Sequence, residues 1–539
     1  MSRVAALEQG GRLAQSALVL GIVLAALTEA IAGTVLSLGR ADIIGDTYAT
    51  PDEFAWLDVG YTTAKLIGFV AAPLLLERID ARRLVAAATL AMGIACAAAV
   101  PTTRLELLVA LRVVQGLAGG ALLVAGQVLL FAAYARSSQP LLQALFALGS
   151  VVAPATIAPA LQGWLLDHKT WSWIFFSVVP VAMLASGLLI AGSRPVQTAT
   201  AGRRLDRLGL LLIVVTLFCA SYVLSQGSRW DWFGQPRIVW LTAIGAVAAF
   251  LFVAQQIAAG PRALLDLACF RSDDFTFAFV VSFVAGAALF GSAYVIPSFA
   301  VSLLAFPPTD AGLLLLPSGA LFAGSLFVAA LVMQVWRVPP IATVPFGILM
   351  VMAAMWMLSG STSESGAADM TPALLLRGFG LGFLFLSITL VAFADLGDRV
   401  RAYGIGLFDL GRQIGGLIGV AGLQTLIDHQ VAGNLVVIGS HVSTSLVAVN
   451  DRLGAITALL AARGMETAAA SRAAVGLLNR AVATQATVIA FDTAFVSVAL
   501  LFVVAAPLLI MVKITLTVAA KLRASRVPKS RLKEIVYAD

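Results

Sequence analysis

The sequence predicts an all-α protein that crosses a lipid bilayer many times. Of its 539 residues, 60% are hydrophobic and 12% are charged, which is about half the charged fraction of an ordinary soluble domain. Apolar runs of about 20 residues recur from end to end, and each is long enough to cross a hydrocarbon core of roughly 30 Å as a helix. Lys and Arg outnumber Asp and Glu by 35 to 28, but the basic residues do not cluster on a soluble domain. A polytopic membrane protein is therefore expected, not a nucleic-acid-binding one.

The apolar runs predict fourteen membrane spans. We place them approximately at residues 14–38, 54–76, 84–101, 105–134, 140–166, 171–192, 208–225, 237–258, 275–304, 309–334, 338–359, 371–395, 403–427 and 492–516. No Gly-x-x-x-x-Gly-Lys-Ser/Thr pattern occurs between them, which argues against transport driven by ATP. The three cysteines, Cys96, Cys219 and Cys269, lie in or beside the runs without the spacing of metal ligands, so no metal site is predicted.

The short loops predict the orientation. With the N-terminus in the cytoplasm, the cytoplasmic segments and the C-terminal tail hold 21 Lys and Arg residues, and the short loops on the other side hold 5. Positively charged loops stay on the cytoplasmic side of a membrane. Both termini are therefore expected in the cytoplasm, which requires an even number of spans.

Two similar motifs indicate an internal repeat. Span 4 reads LRVVQGLAGGALL and span 12 reads LRGFGLGFLFL, so that Arg112 and Arg377 each precede closely spaced glycines. Glycines let helices approach closely in lipid, where the hydrophobic effect does not drive packing. Six spans precede the pair at 208–258, and six follow it. The predicted organisation is an N-terminal six-helix bundle (14–192), a linker with two extra transmembrane helices (193–258), a C-terminal six-helix bundle (259–516) and a basic cytoplasmic tail (517–539).

One sizeable segment, 428–491, lies between spans, and the orientation places it outside the cytoplasm. LVAVNDRLGAITALLAARG followed by SRAAVGLLNRAVATQA predicts two helical stretches joined at a glycine. No catalytic constellation occurs in it. We predict a small extracytoplasmic helical cap, which either simply connects two spans or provides a docking surface for a partner protein.

Motifs along nearly the whole chain resemble one family. LRVVQGLAGGA (111–121), with Gln115 and Gly116, is similar to its span-4 motif, and APALQGWLLDHKTWSWIFFSVVP (158–180), with Pro159 and Gly163, is similar to its span-5 antiporter motif and the following loop. Further similar stretches are LSQGSRWDWF (224–233), LLDLACF (264–270), GRQIGGLIGVAGLQTL (411–426) and QATVIAFDTAF (485–495). The family is the major facilitator superfamily, specifically its fourteen-span drug:proton antiporters of the EmrB/QacA type.

This resemblance implies the fold and the activity. The fold would be the major facilitator fold, with two six-helix bundles and two inserted linker helices. The activity would be proton-coupled efflux of hydrophobic or amphipathic small molecules by alternating access, with no catalytic residue and with the proton gradient in place of a cofactor. The location would be the bacterial inner membrane, and Gram-negative members of the family work with a periplasmic adaptor protein and an outer-membrane channel.

The chain departs from the family at two motifs. Span 5 of the family carries Gly-Pro-x-x-Gly-Gly, whereas this chain keeps Pro159 and Gly163 but has Gln162 where a packing glycine is usual. The loop after span 2 usually reads Gly-x-Leu-Ala-Asp-Arg-x-Gly-Arg-Arg, and here Glu77 replaces the aspartate. That loop is a charged latch in the family. Glu77 with Arg78, or with the later arginines of the loop, keeps this function, unless these charges only set the topology.

Charged residues within the spans suggest the mechanism, because ionisable groups at membrane depth are costly and usually face a bundle interior or a wet cavity. Seven are found: Glu29, Asp58, Lys65, Arg112, Arg377, Asp409 and Arg412. Asp58 and Lys65 are two helical turns apart and share a face with Tyr61, so they are able to neutralise each other. Asp409 and Arg412 are three residues apart, with Gln413 beside them. Each couple is explained as well by a structural ion pair as by a proton-coupling site.

Glu29 and Arg112 are the strongest candidates for proton coupling. Glu29 has no basic residue within four positions in its own span, so it must be solvated, protonated or paired across helices. It lies where the family carries a span-1 aspartate, and we expect it in the wall of a central cavity. Arg112 is expected to change the proton affinity of a neighbouring acid as the cavity changes access. A buried hydrogen-bonding acid is the structural alternative for Glu29.

The cargo is less well defined by the sequence. Three acids against four bases in the spans argue against a cavity built only for cations, and neutral or weakly anionic hydrophobic compounds fit as well. Export of a lipid or an endogenous metabolite is a second transport hypothesis. A membrane scaffold or sensor that transports nothing is a third, against which the charged residues within the spans argue.

Overall fold

The computed structural model describes residues 2–36, 39–191, 206–260, 263–442 and 446–525, and within these ranges the chain is helical, with no β-strand. The start of the predicted linker (193–205) and the end of the predicted tail (526–539) lie outside the described residues. Thirteen of the described helices are long and apolar enough to cross a membrane.

Eight helices and one π-helical segment make up the first half. They are α1 (Ser2–Thr34), α2 (Arg40–Thr47), α3 (Pro51–Leu76), α4 (Ala81–Ala99), α5 (Leu105–Ala133), α6 (Gln139–Ala147), the π-helix Leu148–Ile157, α7 (Ala158–His168) and α8 (Ser172–Ala191). Local sequence explains where two of them begin. Thr50 caps α3 in a capping box with Glu53, and Asp80 caps α4 by accepting the backbone N–H groups of Arg82 and Arg83.

The remaining helices form the inserted pair and the second half. They are α9 (Arg207–Gln226), α10 (Pro236–Ala259), α11 (Asp273–Ser302), α12 (Pro308–Leu313), α13 (Leu316–Val335), α14 (Val344–Leu358), α15 (Ala367–Phe393), α16 (Asp398–Ser440), α17 (Val447–Ala462) and α18 (Thr467–Ser525). The predicted span 403–427 lies in α16, which is not among the thirteen apolar helices. Its two charged residues, glutamines and many glycines lower its hydropathy, yet it packs closely against α11 and α18.

The arginine-glycine motifs pack alike in the two halves. α5 packs mainly against α3 and α4, and α15 packs mainly against α13 and α14. A Cβ added at Gly116 would collide with the carbonyl oxygen of Tyr61 on α3, and one added at Gly378 would collide with the carbonyl oxygen of Ser318 on α13. Each motif therefore lets the second membrane span of its half, α3 or α13, approach closely.

The segment 428–491 contains the two predicted helical stretches, α17 and the start of α18, and they meet at Gly464, whose φ is +91°. A left-handed φ of this kind favours glycine. The segment is not a separate unit, however. α16 continues from the bundle to Ser440 and α18 runs from Thr467 into the last span without a break, so the outer part is an extension of two bundle helices with α17 packed against it.

Candidate functional site

A cavity of about 510 Å³ lies between the two halves. Its wall comes from α1, α3, α7, α9, α11, α12 and α16, and exposed Arg40 and Arg229 lie at its mouth. We call the end of the molecule where it meets solvent the open end. Of the predicted site residues, Asp58, Pro159 and Gln413 line this cavity, together with Tyr294.

Glu29 is buried one helical turn from the cavity wall, next to Gly33 and Thr34, which line it. Its carboxylate forms an ion pair of 2.5 Å with Lys65, and the Tyr61 hydroxyl donates to the same oxygen at 2.9 Å. Of the three states predicted for Glu29, the structure shows pairing across helices. Glu29 is not among the residues that line this cavity, so its expected place in the wall of a central cavity stays a prediction.

Small residues create the space for this arrangement. A Cβ at Gly119 would lie 2.9 Å from Cγ of Glu29, and one at Gly33 would lie 2.8 Å from the Tyr61 hydroxyl. Cβ atoms in proteins essentially never approach this closely. Gly33 and Gly119 therefore set the close approach of α1, which carries Glu29, to α3, which carries Tyr61 and Lys65, and to α5.

Arg112 completes what we call the Glu29 cluster: Glu29, Tyr61, Lys65 and Arg112. Its guanidinium carbon lies 3.9 Å from the centre of the Tyr61 ring, and Nη1 donates to Ala32 O at 2.6 Å and to Gln115 Oε1 at 3.0 Å. Its Nε and Nη2 atoms are buried without a hydrogen-bond partner. Such orphaned donors are costly, and a cation stacked on a desolvated ring gains about 2 kcal/mol or more.

Asp58 and Lys65 do not bridge each other, although they share a face of α3. Lys65 is paired with Glu29, and Asp58 instead accepts a hydrogen bond of 3.2 Å from Ser225 of the inserted helix α9. The spacing of Asp58 and Lys65 showed that the two side chains lie on one face of α3. It could not show that α1 provides a carboxylate for Lys65 and that α9 provides a hydroxyl group for Asp58.

The second half contributes a separate ion pair. Arg412 Nη2 lies 2.6 Å from Asp409 Oδ1, as the spacing of three residues predicted. The pair borders a void of about 20 Å³ that it shares with Gln127 and Gln143 of the first half. Lys65 and Glu29 lie within electrostatic range of Asp409, so the Glu29–Lys65 pair and the Asp409–Arg412 pair influence each other across the boundary between the halves.

Arg377 does not join the site. It is fully buried and donates to Ser292 Oγ at 2.9 Å and to Leu289 O at 3.4 Å, both on α11. No carboxylate of the described residues forms an ion pair with it. Its contacts lie within the second half, and they indicate a packing role.

The halves contact each other differently at the two ends. At the open end, α7 meets α12, where a Cβ at Gly312 would lie 2.6 Å from the Pro159 carbonyl oxygen. Gln162, in place of the usual glycine, ties α7 to α1 by donating to Thr34 Oγ1 at 2.7 Å, and Gly163 is buried beside it.

At the other end, which we call the closed end, the Tyr403 hydroxyl donates to Glu77 Oε1 at 2.7 Å. A Cβ at Gly406 would collide with the Phe69 carbonyl oxygen, so α3 and α16 touch there. The predicted latch at Glu77 thus includes a partner from the other half of the molecule. Arg78 lies in the turn that follows α3, and Arg82 donates to Ile190 O at 2.8 Å.

Sequence reasoning missed the inserted hairpin as a part of the site. Leu224, Ser225, Gln226 and Arg229 line the cavity, whereas the sequence indicated only two linker helices. The stretch LSQGSRWDWF was the available signal, since it is polar and aromatic at the end of an apolar span.

Comparisons with known proteins agree with this architecture. The sequence model of the Major Facilitator Superfamily matches residues 18–420. Multidrug export protein EmrB of Escherichia coli is 26% identical over 417 residues, which are 75% of this chain and 78% of that protein. Colistin resistance protein EmrB of Acinetobacter baumannii is 23% identical, over 82% of this chain and 85% of its own.

Two further similarities cover more of one chain or the other. Fatty acid resistance protein FarB of Neisseria gonorrhoeae is 24% identical over 94% of this chain and 97% of its own. The crystal structure of the human organic anion transporter MFSD10 (TETRAN) superposes with a TM-score of 0.52 at 12% identity, covering 77% of this chain and 93% of that one. At this identity the structural likeness concerns the fold.

Proposed function

Because the chain belongs to the Major Facilitator Superfamily, we propose that it exports hydrophobic or amphipathic small molecules in exchange for protons across the bacterial inner membrane. The observation that carries the proposal is the Glu29 cluster, in which a buried carboxylate is paired with Lys65 at 2.5 Å. Ionisable groups at membrane depth are costly and usually mark the path of an ion or a substrate. The names of the relatives, multidrug export and colistin resistance proteins, support export as the direction.

The proposed cycle is alternating access, in which the two halves rock about the midplane. A cavity of about 510 Å³ at the open end and the contacts of α3 with α16 at the closed end support a state that is accessible from one side. The distribution of Lys and Arg favours the open end as the outside, with both termini in the cytoplasm. This state would then be the one that takes up protons and releases cargo.

Protonation of Glu29 would supply the driving force. When Glu29 takes up a proton, Lys65 loses the charge that neutralises it. An uncompensated cation at membrane depth costs roughly 2.5–3.5 kcal/mol on insertion scales, which shifts a balanced two-state equilibrium by about a hundredfold. Asp409 lies within electrostatic range of Lys65, so a rearrangement that brings the halves together around these two groups would offer Lys65 a second partner.

The cargo that the cavity fits is an amphipathic molecule of mixed polarity. Its lining combines Phe290, Leu417 and Val420 with Asp58 and Arg40. One acid, Asp58, and two surface arginines, Arg40 and Arg229, do not favour a single sign of charge, which supports a broad range of neutral and weakly charged compounds. Similarity to a fatty acid resistance protein over 94% of this chain supports the inclusion of amphipathic acids.

The segment 428–491 would provide the contact for a periplasmic adaptor protein, through which an outer-membrane channel is reached. Val436, Val447 and Leu459 are 73%, 74% and 56% exposed there. Contiguous exposed apolar patches are typical of interaction sites, and these side chains would belong to such a patch. Crosslinking from Val447→Cys in cells tests this part, and the absence of any specific adduct with an adaptor would contradict it.

Reconstitution into vesicles tests the proposed function. We expect an imposed pH gradient to drive accumulation of a fluorescent amphiphile by the wild-type protein. Glu29→Gln should lower gradient-driven transport at least tenfold while cargo still binds, and Asp409→Asn should lower it by a smaller factor. Glu106→Gln, which removes an exposed acid at the start of α5, is the matched control and should transport normally.

Two results would contradict different parts. Wild-type transport that is indifferent to the gradient would contradict proton coupling as a whole. Normal coupling in Glu29→Gln would contradict only the role given to Glu29, and would point to Asp409 as the proton carrier if Asp409→Asn fails.

A further inference from the structure

The inserted hairpin, α9 and α10 with the loop between them, packs against the first half and reaches the cavity, which a simple connection between the halves does not require. α9 and α10 could join the two halves while lying in the lipid, yet α9 packs along α3 of the first half. The rings of Trp56 and Tyr222 contact each other in a tilted arrangement with their centroids 5.4 Å apart, and Val59, Tyr222 and Ile238 form a small buried core. The end of α9 reaches the cavity, where Leu224, Ser225 and Gln226 form part of the wall.

The loop between the two inserted helices is attached to both halves of the molecule. Arg229 forms an ion pair of 2.7 Å with Asp52 at the start of α3. On the opposite side, Ser228 donates to Asp428 at 2.8 Å and Trp232 Nε1 donates to Thr425 Oγ1 at 3.0 Å, both on α16. Surface contacts of this kind are individually weak, and together they hold the end of α9 at the cavity mouth, so that the loss of any one of them leaves the helix in place.

A directed chain of hydrogen bonds runs from this wall to a carboxylate. Gln226 Nε2 donates to Ser225 Oγ at 3.4 Å, and Ser225 Oγ donates to Asp58 Oδ2 at 3.2 Å. Both members of α9 therefore act as donors, and the chain ends on Asp58, which also lines the cavity. Ser225 fixes one carboxylate oxygen and leaves the other to accept a hydrogen bond from a molecule in the cavity.

We infer that the inserted hairpin forms a wall of the cargo site, and that Ser225 and Gln226 help to select the cargo by orienting Asp58. The inference rests on the proposed export function for its cargo. Within the broad range of cargo proposed above, Asp58 would give a preference for amphiphiles whose head group donates a hydrogen bond, such as a primary amine, with the apolar chain against Phe290, Tyr294 and Leu417. Selection by Ser225 and Gln226 would change the affinity for the cargo, and it needs no proton gradient.

Binding to the full-length protein in detergent, without a gradient, tests the inference. The probes are three amphiphiles with the same twelve-carbon chain and with a primary amine, a trimethylammonium or a carboxylate as the head group. For Ser225→Ala we expect the preference for the amine over the trimethylammonium head to fall by about fivefold, the effect of one typical hydrogen bond. Asp58→Asn should abolish the preference, and Gln226→Leu should reduce it less than Ser225→Ala does.

The controls separate selection from folding. Ser225→Thr keeps the hydroxyl group and should keep the preference. Ser228→Ala removes a hydroxyl of the same loop that binds Asp428 outside the cavity, and it should leave the ratio of the three affinities unchanged. An unchanged ratio in Ser225→Ala, or an equal loss in Ser228→Ala, would overturn the inference. Neither result would affect the gradient test of Glu29, so the two proposals fail independently.

Discussion

Arg112 and Arg377 occupy equivalent places in the two halves and have different surroundings. Both are buried, both precede closely spaced glycines, and both lie on a helix that packs against the second membrane span of its half, α5 against α3 and α15 against α13. Arg377 is held by Ser292 and Leu289 O. Arg112 stacks on Tyr61, whose hydroxyl binds Glu29, and two of its nitrogens have no partner.

The repeat therefore specifies packing in both halves, whereas the candidate proton site belongs to one copy. The glycines make the same close contact in both halves. The carboxylate and the lysine that turn the arginine's neighbourhood into a candidate proton site occur only in the first half among the described residues. In the second half, the acid Asp409 is on α16, where Arg412 is its partner.

Replacing the two arginines gives the largest expected effect. Arg112→Leu should lower gradient-driven transport by about thirtyfold or more, because it removes a cation that is stacked on a desolvated ring and supports Tyr61. Arg377→Leu should stay within about threefold of the wild type, since Arg377 contacts hydroxyl and carbonyl groups of the second half and no member of the Glu29 cluster. Vesicle transport at equal protein amount measures both. Equal losses would show that the two copies do not differ in function.

Filling the glycine contacts tests the shared part of the comparison. Gly116→Ala and Gly378→Ala should each destabilise the folded protein by about 1–3 kcal/mol, because each new methyl group meets backbone atoms. Gly422→Ala is the control, since a Cβ there meets nothing within 4 Å. Thermal unfolding in detergent measures all three. If only one of the two motif variants is destabilised, the packing roles of the halves differ as well.

Removing one hydroxyl group on each side gives the smallest expected effect. Tyr61→Phe deletes the hydrogen bond to Glu29 and should reduce coupled transport by about fivefold. Ser292→Ala deletes the hydrogen bond to Arg377 and should lower the unfolding temperature without a change in coupling. A transport defect in Ser292→Ala would bring Arg377 back into the mechanism, and normal coupling in Tyr61→Phe would limit Tyr61 to a packing role.

The fold was largely predictable from the sequence because its signals are local. The apolar runs predicted the spans, and the motifs predicted the superfamily, which the match over residues 18–420 confirms. Spacing along one helix was enough for Asp409 with Arg412. The glycine that ends α17 was also visible, since Gly464 is the residue that adopts a left-handed conformation there.

The site was less predictable because its partners come from different helices. Lys65 could form an ion pair with Asp58 on its own helix or with an acid on a neighbouring helix. The rotation of α1 against α3 makes Glu29 its partner. The position of α9 at the cavity has the same cause. Helix rotation and docking depend on side chains far apart in sequence, for which periodicity holds no information.

The length of α18 has a mechanical consequence. It is one helix from Thr467 to Ser525, 59 residues, or about 88 Å at 1.5 Å per residue. Its first 25 residues, up to Phe491, extend about 38 Å from the last span. Asn434 of α16 connects the two helices there, since its Nδ2 donates to Ala486 O of α18 at 3.3 Å. A tilt of the second half would therefore also move the N-terminal end of α18, and a protein bound there would be displaced once in every transport cycle.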